Sequence, residues 1–135
     1  MSRLNQGLDR LLGLQHAEVG PDRCVIEYTV RPELLQPFGL LHGGVHAAVV
    51  ESAASIGAQV WLGDRGRIVG VSNQTDFLRP VSEGHLVAVA TPIHRGRTQQ
   101  LWEVKITRED GALVARGQLR LAHLIADPTE HETQS

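Results

Sequence analysis

One segment constrains the fold of this 135-residue chain more than any other: an alanine-rich, apolar stretch at residues 45–62. Its length and alanine content favour an α-helix over a strand. The stretch carries a single formal charge, Glu51, and is apolar on nearly every side. Although its length approaches that of a membrane span, four other polar side chains interrupt it and no second span follows. We therefore predict one helix that is buried on most of its sides.

The rest of the chain has mainly the alternating pattern of β-strands. A short amphipathic helix is predicted at residues 4–14, and apolar residues then alternate with polar ones at residues 24–30. Four further strands are predicted at residues 68–81, 85–93, 102–107 and 113–124. A hairpin turn at residues 109–111 joins the last two. Because no helices alternate with these strands, they should pair antiparallel. The sequence thus predicts an α+β fold in which a curved antiparallel sheet wraps around one long central helix.

Size and composition bound the domain organisation and the partners. A chain of this length forms one domain, which we place at residues 1–126, followed by a polar tail at residues 127–135 that we expect to be disordered. Thirteen basic and fifteen acidic residues give a net charge of −2, which argues against a general nucleic-acid binder and a polybasic membrane binder. The first residues lack the apolar core of a signal peptide, so a cytoplasmic location is expected. The single cysteine, Cys24, excludes an intramolecular disulfide and is expected to be buried and inert.

Glu51 and a pair of glycines are the first candidates for chemistry. A buried carboxylate without a partner is costly, and no Lys or Arg lies three or four residues from Glu51 within the predicted helix. From burial alone, two interpretations of Glu51 are equally open. It is either a catalytic carboxylate or a structural Glu that pairs with a distant Arg or lies on an exposed stripe. Gly43 and Gly44 come directly before the helix, where free N–H groups and the helix dipole can polarise a carbonyl. A flexible joint would also account for these two glycines.

A longer motif around the glycines carries a family resemblance. Residues 36–44 read Gln-Pro-Phe-Gly-Leu-Leu-His-Gly-Gly, and Glu51 follows seven residues after Gly44. This pattern resembles the hot-dog fold acyl-CoA thioesterases. Within them it is similar to the Arthrobacter-type 4-hydroxybenzoyl-CoA thioesterase branch, above all to the 1,4-dihydroxy-2-naphthoyl-CoA and enterobactin proofreading thioesterases. The resemblance spans about residues 22–124. It implies hydrolysis of an aromatic or other bulky acyl-CoA to a free acid and coenzyme A, without a metal or redox cofactor.

The resemblance also implies a role for individual residues. Glu51 would be the nucleophile or the general base, and the Gly43 N–H would polarise the carbonyl. His42 and Gln36 would orient the thioester, and Ser55 would help to place the water. Two segments match regions that hold coenzyme A or line the acyl pocket: Phe77, Leu78, Arg79 and Pro80, and His94, Arg95, Gly96, Arg97 and Thr98.

Within these two segments some assignments stay open. Arg79, Arg95 and Arg97 suit phosphate binding, but solvated surface charge is equally compatible with each. The enterobacterial pair has His where this chain has Phe77, which leaves the acyl specificity open. That pair has Ser-Arg where this chain has Arg97 and Thr98, so the phosphate contacts are open too.

The spacing of Gly43 and Glu51 predicts a site shared between two chains. The two residues are eight positions apart, about 12 Å along one helix. A thioester carbonyl must lie about 3 Å from both its polarising donor and its attacker. Two antiparallel copies of the helix meet this need, with Gly43, His42 and Gln36 from one chain and Glu51 and Ser55 from its partner. We therefore predict a homodimer at minimum, and the resemblance implies a homotetramer, a dimer of dimers.

Three rival functions make different demands on the sequence. A phenylacetyl-CoA-type hot-dog thioesterase shares His-Gly-Gly but usually carries Asp on the helix, so Glu51 argues against it. Hot-dog dehydratases and hydratases pair a catalytic His with a carboxylate in different motifs. A non-catalytic acyl-CoA-binding sensor would keep the pocket without turnover, and the complete set of predicted catalytic residues argues against it. No metal site is expected, because no metal-ligand spacing joins a carboxylate to His16, His85, His123 or His131.

Overall fold

The computed structural model describes residues 4–125. This part of the chain forms two α-helices, six β-strands and two short 3-10 helices. In chain order they are α1 (Gly7–Leu12), β1 (Gln15–Glu18), β2 (Cys24–Thr29), a 3-10 helix (Pro32–Leu34), α2 (Gly43–Leu62), a second 3-10 helix (Gly63–Arg65), β3 (Arg67–Phe77), β4 (His85–Arg95), β5 (Gln99–Arg108) and β6 (Leu113–Leu124). The predicted tail at residues 127–135 lies outside the described residues.

The six strands form one antiparallel sheet in the order β1-β2-β4-β5-β6-β3. α2 packs against β2, β3, β4, β5 and β6, so the sheet curves around the helix. This confirms the predicted α+β architecture, a curved antiparallel sheet wrapped around one long helix. β1 and β3 are the edge strands, and β3 pairs only with β6 in the described part of the chain.

Small residues let α2 approach the sheet closely. Its sheet-facing side includes Ala53, Gly57 and Ala58, all of them buried. A Cβ at Gly57 would lie 2.6 Å from the ring of Trp102. That ring is held in place, because its N–H donates to Gln100 Oε1 over 2.7 Å and Gln100 Nε2 donates to the Ala58 carbonyl over 3.1 Å. The buried polar atoms are therefore paired, and the helix has a fixed distance from the sheet.

α2 differs from its prediction in where it begins, but not in how much of it is buried. It begins at Gly43, two residues earlier than predicted, because the His42 ring accepts a hydrogen bond from the Gly44 N–H. Within residues 45–62 only Glu51 and Val60 are exposed, and the other residues are buried or partly buried. This confirms the prediction of a helix that is buried on most of its sides. Among the helices of residues 4–125, none is long and apolar enough to cross a lipid bilayer.

β4 ends two residues later than predicted, and β5 begins three residues earlier and ends one later. Three other elements differ in ways that have a clear physical reason. β3 ends at Phe77 rather than at residue 81, because the next two N–H groups both bond to the Val114 carbonyl and Pro80 has no N–H to donate. α1 is shorter than predicted, because Gly13 ends it in a left-handed conformation with a φ of 74°. The prediction lacks β1, whose mostly exposed side chains show no apolar alternation.

Candidate active site

The first part of the candidate site is the N-terminus of α2. His42 Nδ1 accepts a hydrogen bond of 2.8 Å from the Gly44 N–H. The Gly43 N–H, at the first helical position, has no partner within the helix and none elsewhere among residues 4–125. A Cβ at Gly43 would lie 2.6 Å from the ring of Phe77, so glycine lets that ring pack against the helix end. The free N–H lies at the positive end of the helix dipole, where it can polarise a carbonyl oxygen.

The loop before α2 fixes the orientation of the Gln36 side chain. Gln36 Oε1 accepts hydrogen bonds from the Phe38 N–H at 2.6 Å and the Leu40 N–H at 3.2 Å. Gly39 closes this turn with a φ of 86°, a value that favours glycine. Because backbone donors occupy the amide oxygen, the Nε2 group is the end left to bind a ligand. Gln36 therefore offers a second donor close to the helix N-terminus.

A cavity of about 350 Å³ lies between this loop, the start of α2 and the segment after β3. Its walls are mostly apolar. They are formed by Gln36, Leu40, Leu41, Gly43, His46, Phe77, Leu78, Arg79, Pro80 and Val81. The structure thus brings six predicted site residues, Gln36, Gly43, Phe77, Leu78, Arg79 and Pro80, to one cavity. Gly43 lines this cavity, so the free N–H at the start of α2 lies close to it.

His46 also lines this cavity and is absent from the predicted site residues. It lies three residues after Gly43 and is buried. Burial lowers the pKa of His46 to about 4, which keeps the ring neutral near pH 7. Its Nδ1 lies 3.1 Å from the Tyr28 hydroxyl. The signal in the sequence is an imidazole one helical turn after Gly43, but α2 had to be placed on the sheet before that turn could be seen to face the cavity.

Glu51 lies in the middle of α2, and its side chain is exposed. It is about 12 Å along the helix axis from Gly43 and does not line the cavity described above. None of the ion pairs within residues 4–125 includes Glu51. The structure therefore excludes pairing with a described Arg and leaves Glu51 exposed, while Ala48 and Ser55 one turn away are partly buried. One chain does not bring this carboxylate to the Gly43 N–H.

A second cavity, of about 330 Å³, lies one turn beyond Glu51. Ser55, the fifth predicted catalytic residue, is part of its wall. The remaining wall is largely aliphatic and is formed by Leu4, Val19, Ile56, Gln59, Val60 and Ile68. The structure thus places Ser55 near Glu51 and beside a space suited to an apolar group.

Three polar side chains join α1 and β1 to α2 next to Glu51. The Ser52 hydroxyl donates to Asp9 Oδ1 over 2.6 Å, and Asp9 Oδ2 lies 2.9 Å from His16 Nε2. The aspartate lies between the serine and the histidine, so this is not the order of a hydrolytic triad. The network instead holds the N-terminal elements against the helix at the residue after Glu51. No group of three or more His, Cys, Asp or Glu side chains in the part described could hold a metal ion.

The hairpin between β4 and β5 carries the second predicted binding segment. The Arg95 guanidinium donates to the Pro21 carbonyl and to Asp22 Oδ1, and it lies 5.2 Å from the centre of the Trp61 ring. The Gly96 N–H closes the turn. His123 holds the hairpin by contacts to the carbonyls of residues 97 and 98. The side chains of His94, Arg97 and Thr98 are exposed. Arg95 is thus engaged within the chain, while Arg97 is available to a phosphate.

The two predicted binding segments lie at opposite ends of α2. Phe77 packs against Gly43 at the start of the helix, and Arg95 packs against Trp61 near its end. The helix has 20 residues, which corresponds to a length of about 30 Å. A single chain therefore separates the two segments, just as it separates Gly43 from Glu51.

The sequence and the fold match known thioesterases. Residues 38–115 match the family model of the thioesterase superfamily. A Mycobacterium tuberculosis (strain ATCC 25618 / H37Rv) protein named as an esterase is 51% identical over 123 residues, which are 89% of this chain and 88% of that protein. Its solved structure has a TM-score of 0.86, covering 89% of this chain and 98% of that one. A 1,4-dihydroxy-2-naphthoyl-CoA hydrolase of Listeria monocytogenes is 34% identical over 116 residues, 86% of this chain and 94% of that protein. A Haemophilus influenzae thioesterase structure has a TM-score of 0.86 at 31% identity, covering 92% and 87% of the two chains.

These similarities cover most of the chain, including the motif at residues 36–44 and the helix with Glu51. They confirm the predicted resemblance to the hot-dog acyl-CoA thioesterases. The matched family acts on acyl-CoA substrates. The chain therefore belongs to the thioesterase superfamily and is a thioester hydrolase with the hot-dog fold.

Proposed function

We propose that this thioesterase hydrolyses an aromatic or other bulky acyl-CoA at a site shared between two copies of the chain. One observation carries the proposal: the unpaired Gly43 N–H and the exposed Glu51 carboxylate lie on one helix, about 12 Å apart. Neither group has a partner among residues 4–125, and both suit thioester chemistry. A second, antiparallel helix would bring each of them to its counterpart.

The proposed reaction uses the residues of both copies. The thioester oxygen accepts a hydrogen bond from the Gly43 N–H, and Gln36 Nε2 and His42 orient the thioester. Glu51 of the other copy either attacks the carbonyl carbon or removes a proton from an attacking water. Direct attack forms a mixed anhydride and releases coenzyme A as the thiolate, and water then hydrolyses the anhydride. Ser55 helps to place the water, and neither route uses a metal or redox cofactor.

The edge of the sheet supports pairing of two copies. β3 has 11 residues and is an edge strand, and along it Val69, Val71 and Phe77 are 38%, 57% and 59% exposed. Long edges with exposed apolar side chains tend to pair with another strand. If two β3 strands pair about a twofold axis, the adjacent α2 helices also run antiparallel. The proposed homodimer therefore has the arrangement that the chemistry needs.

The two cavities support the proposed substrate class. The cavity beside Ser55 is largely aliphatic and has room for a ring or a branched chain. The exposed Arg97 and Arg79 are available to the phosphates of coenzyme A. We also propose a homotetramer, formed as a dimer of dimers, which light scattering of the purified protein would measure. A cytoplasmic location stays a prediction.

Thiol release from a panel of aromatic, short-chain and long-chain acyl-CoAs tests the proposed reaction. Glu51→Ala should lower kcat by about 10²–10⁴ on the preferred thioester. Glu83→Ala, which removes another exposed carboxylate, is the matched control and should keep full activity. Turnover that survives Glu51→Ala would move the catalyst elsewhere. Tight binding without turnover of any thioester would favour a sensor over an enzyme.

Proline at position 43 tests the polarising N–H. Proline is well tolerated at the first helical position and removes only the N–H there. Gly43→Ala is the control, because it also adds a Cβ against Phe77 but keeps the N–H. The kcat of Gly43→Pro should be about 10²–10³-fold lower than that of Gly43→Ala. Equal activities of the two variants would exclude this donor.

Mixing two inactive variants tests the shared site. Gly43→Pro and Glu51→Ala place their defects in different halves of each proposed site. After random exchange of subunits, half of the dimers are mixed, and each mixed dimer has one intact site. The mixture should recover about a quarter of the wild-type activity. A mixture that exchanges subunits but stays inactive would show that both residues come from one chain.

A further inference from the structure

His46 is the one buried imidazole in the wall of the cavity at the helix N-terminus. It lies three residues after Gly43, about 4.5 Å along the axis of α2. The residue is 3% exposed, and the centre of its ring lies 6.0 Å from that of Phe77. Because burial holds its pKa at about 4, the ring carries one proton near pH 7. The position of that proton decides what the cavity wall offers to a ligand.

Tyr28 fixes the position of the proton. Tyr28 is 1% exposed, and its hydroxyl lies 3.1 Å from His46 Nδ1, its only hydrogen-bond partner among residues 4–125. Burial raises the pKa of Tyr28, so the hydroxyl keeps its hydrogen. A buried O–H group needs an acceptor, and Nδ1 is the available one. Tyr28 therefore donates to Nδ1, and the proton of the neutral imidazole is on Nε2.

The Nε2–H group faces the cavity. No described residue accepts a hydrogen bond from His46 Nε2. Since every fully buried side-chain nitrogen or oxygen within residues 4–125 has a partner, the unpaired Nε2 atom is not fully buried. Since His46 lines the cavity, its unpaired edge is the part that reaches the open space. Nearby walls are formed by Leu41, Phe77 and Val81, which offer no side-chain acceptor. The cavity thus contains a fixed donor that the proposed reaction does not use.

We infer that His46 Nε2–H selects acyl-CoAs that carry a hydroxyl or carbonyl oxygen on the acyl group close to the thioester. This inference rests on the proposed function, in which the thioester carbonyl is held by the Gly43 N–H. Three residues on one helix separate that N–H from His46, so an oxygen bonded near the carbonyl carbon comes within reach of Nε2. A substrate without this oxygen leaves the buried donor unpaired. Sites with such a donor discriminate strongly against an analogue that lacks the oxygen.

Binding of two non-hydrolysable analogues tests the inference. The probes are thioether ketones of coenzyme A that carry a 2-hydroxyphenyl ring or an unsubstituted phenyl ring. Calorimetry should show that the wild type binds the hydroxylated analogue about tenfold more tightly. His46→Phe should abolish this preference and leave the affinity for the unsubstituted analogue within about twofold. His46→Gln, which keeps an N–H donor, should restore part of it.

Tyr28→Phe distinguishes selection of the substrate by the His46 N–H from a packing role of the His46 side chain. It leaves His46 in place but removes the hydroxyl that fixes the proton on Nε2, so the preference should fall without loss of binding to the unsubstituted analogue. Thermal unfolding of each variant identifies any that fails to fold, and the remaining variants then decide the result. A preference that survives His46→Phe or Tyr28→Phe, or an equal loss of affinity for both analogues, would overturn the inference.

Turnover by the wild type distinguishes this inference from the proposed function. Hydrolysis of both benzoyl-CoA and 2-hydroxybenzoyl-CoA without a preference in binding would support the proposed function and overturn the role of His46. Absence of hydrolysis, together with a binding preference that His46→Phe removes, would overturn the proposed function and support the donor. If the wild type binds neither analogue, both proposals fall.

Discussion

Replacing Gly57 with alanine should destabilise the fold, although alanine is the better helix former. The added Cβ would lie 2.6 and 2.7 Å from two ring carbons of Trp102, about 1 Å closer than normal packing allows. The ring cannot retreat, because it is fully buried and its N–H is bonded to Gln100. Overpacking of this kind costs about 3 kcal/mol, and the helix propensity of alanine offsets about 1 kcal/mol. We expect the free energy of unfolding to fall by about 2 kcal/mol.

Gly43→Ala is the matched control for this prediction. A Cβ there would also lie 2.6 Å from a ring carbon, this time of Phe77. That ring is 59% exposed, so it can move into solvent, and stability should change by less than about 0.5 kcal/mol. Urea unfolding followed by circular dichroism measures both variants against the wild type. The Tm of Gly57→Ala should be lower by about 8 °C.

Two results would refute this reasoning. A Gly57→Ala protein as stable as the wild type would show that Trp102 can move despite its bond to Gln100. An equal loss of stability in Gly43→Ala would show that the exposure of the neighbouring ring does not decide the cost. A double-mutant cycle with Trp102→Phe, which removes the contacted ring carbons, should recover most of the Gly57→Ala loss.

Three further predictions concern titration, the thiol and the coenzyme. Burial lowers the pKa of His46 from 6.5 to about 4, so the unfolded chain binds more protons between these values and stability falls as the pH drops through that window. Urea unfolding at pH 7 and pH 4 should show up to about 3 kcal/mol more loss in the wild type than in His46→Gln, and equal losses would contradict a neutral ring. Cys24, buried and with its pKa raised to about 11, should react with a thiol reagent only after unfolding. Arg97→Ala should raise KM severalfold for an acyl-CoA but not for the matching N-acetylcysteamine thioester, whereas Arg95→Ala should mainly lower Tm. Equal KM changes on both thioesters would exclude a phosphate contact for Arg97.

Apolar periodicity was enough to predict the main strands, because it reports burial directly. The alternation in β2, β4, β5 and β6 is visible in the sequence, whereas the prediction of α2 rests on its length and alanine content. The end of β3 is different. Val81 extends the apolar pattern of that strand, but it is buried for another reason, since its carbonyl accepts from the Leu41 N–H beside the cavity. Periodicity cannot tell a strand residue from a buried residue in the loop that follows.

The residues of the candidate site also fall into two groups, those that the sequence predicts and those that only the fold reveals. Gln36, Gly43 and Glu51 could be predicted because they lie within one short stretch of sequence. The hydrogen bond between Tyr28 and His46 joins residues 18 positions apart, and that between Asp9 and Ser52 joins residues 43 positions apart. No spacing rule connects such pairs. They follow from the order of the strands around α2, so only the fold reveals them.

The surface of α2 gives the final argument for a second copy. A helix that is apolar on nearly every side is stable in water when most of its sides are covered. In one chain, α2 is buried or partly buried except at Gly44, Glu51 and Val60, and Val60 lies on the opposite side of the helix from Glu51. Glu51 is therefore a carboxylate that is exposed on a helix otherwise mostly covered, where a thioester presented by a partner would reach it. The exposure of this one charged residue thus supports the proposed homodimer.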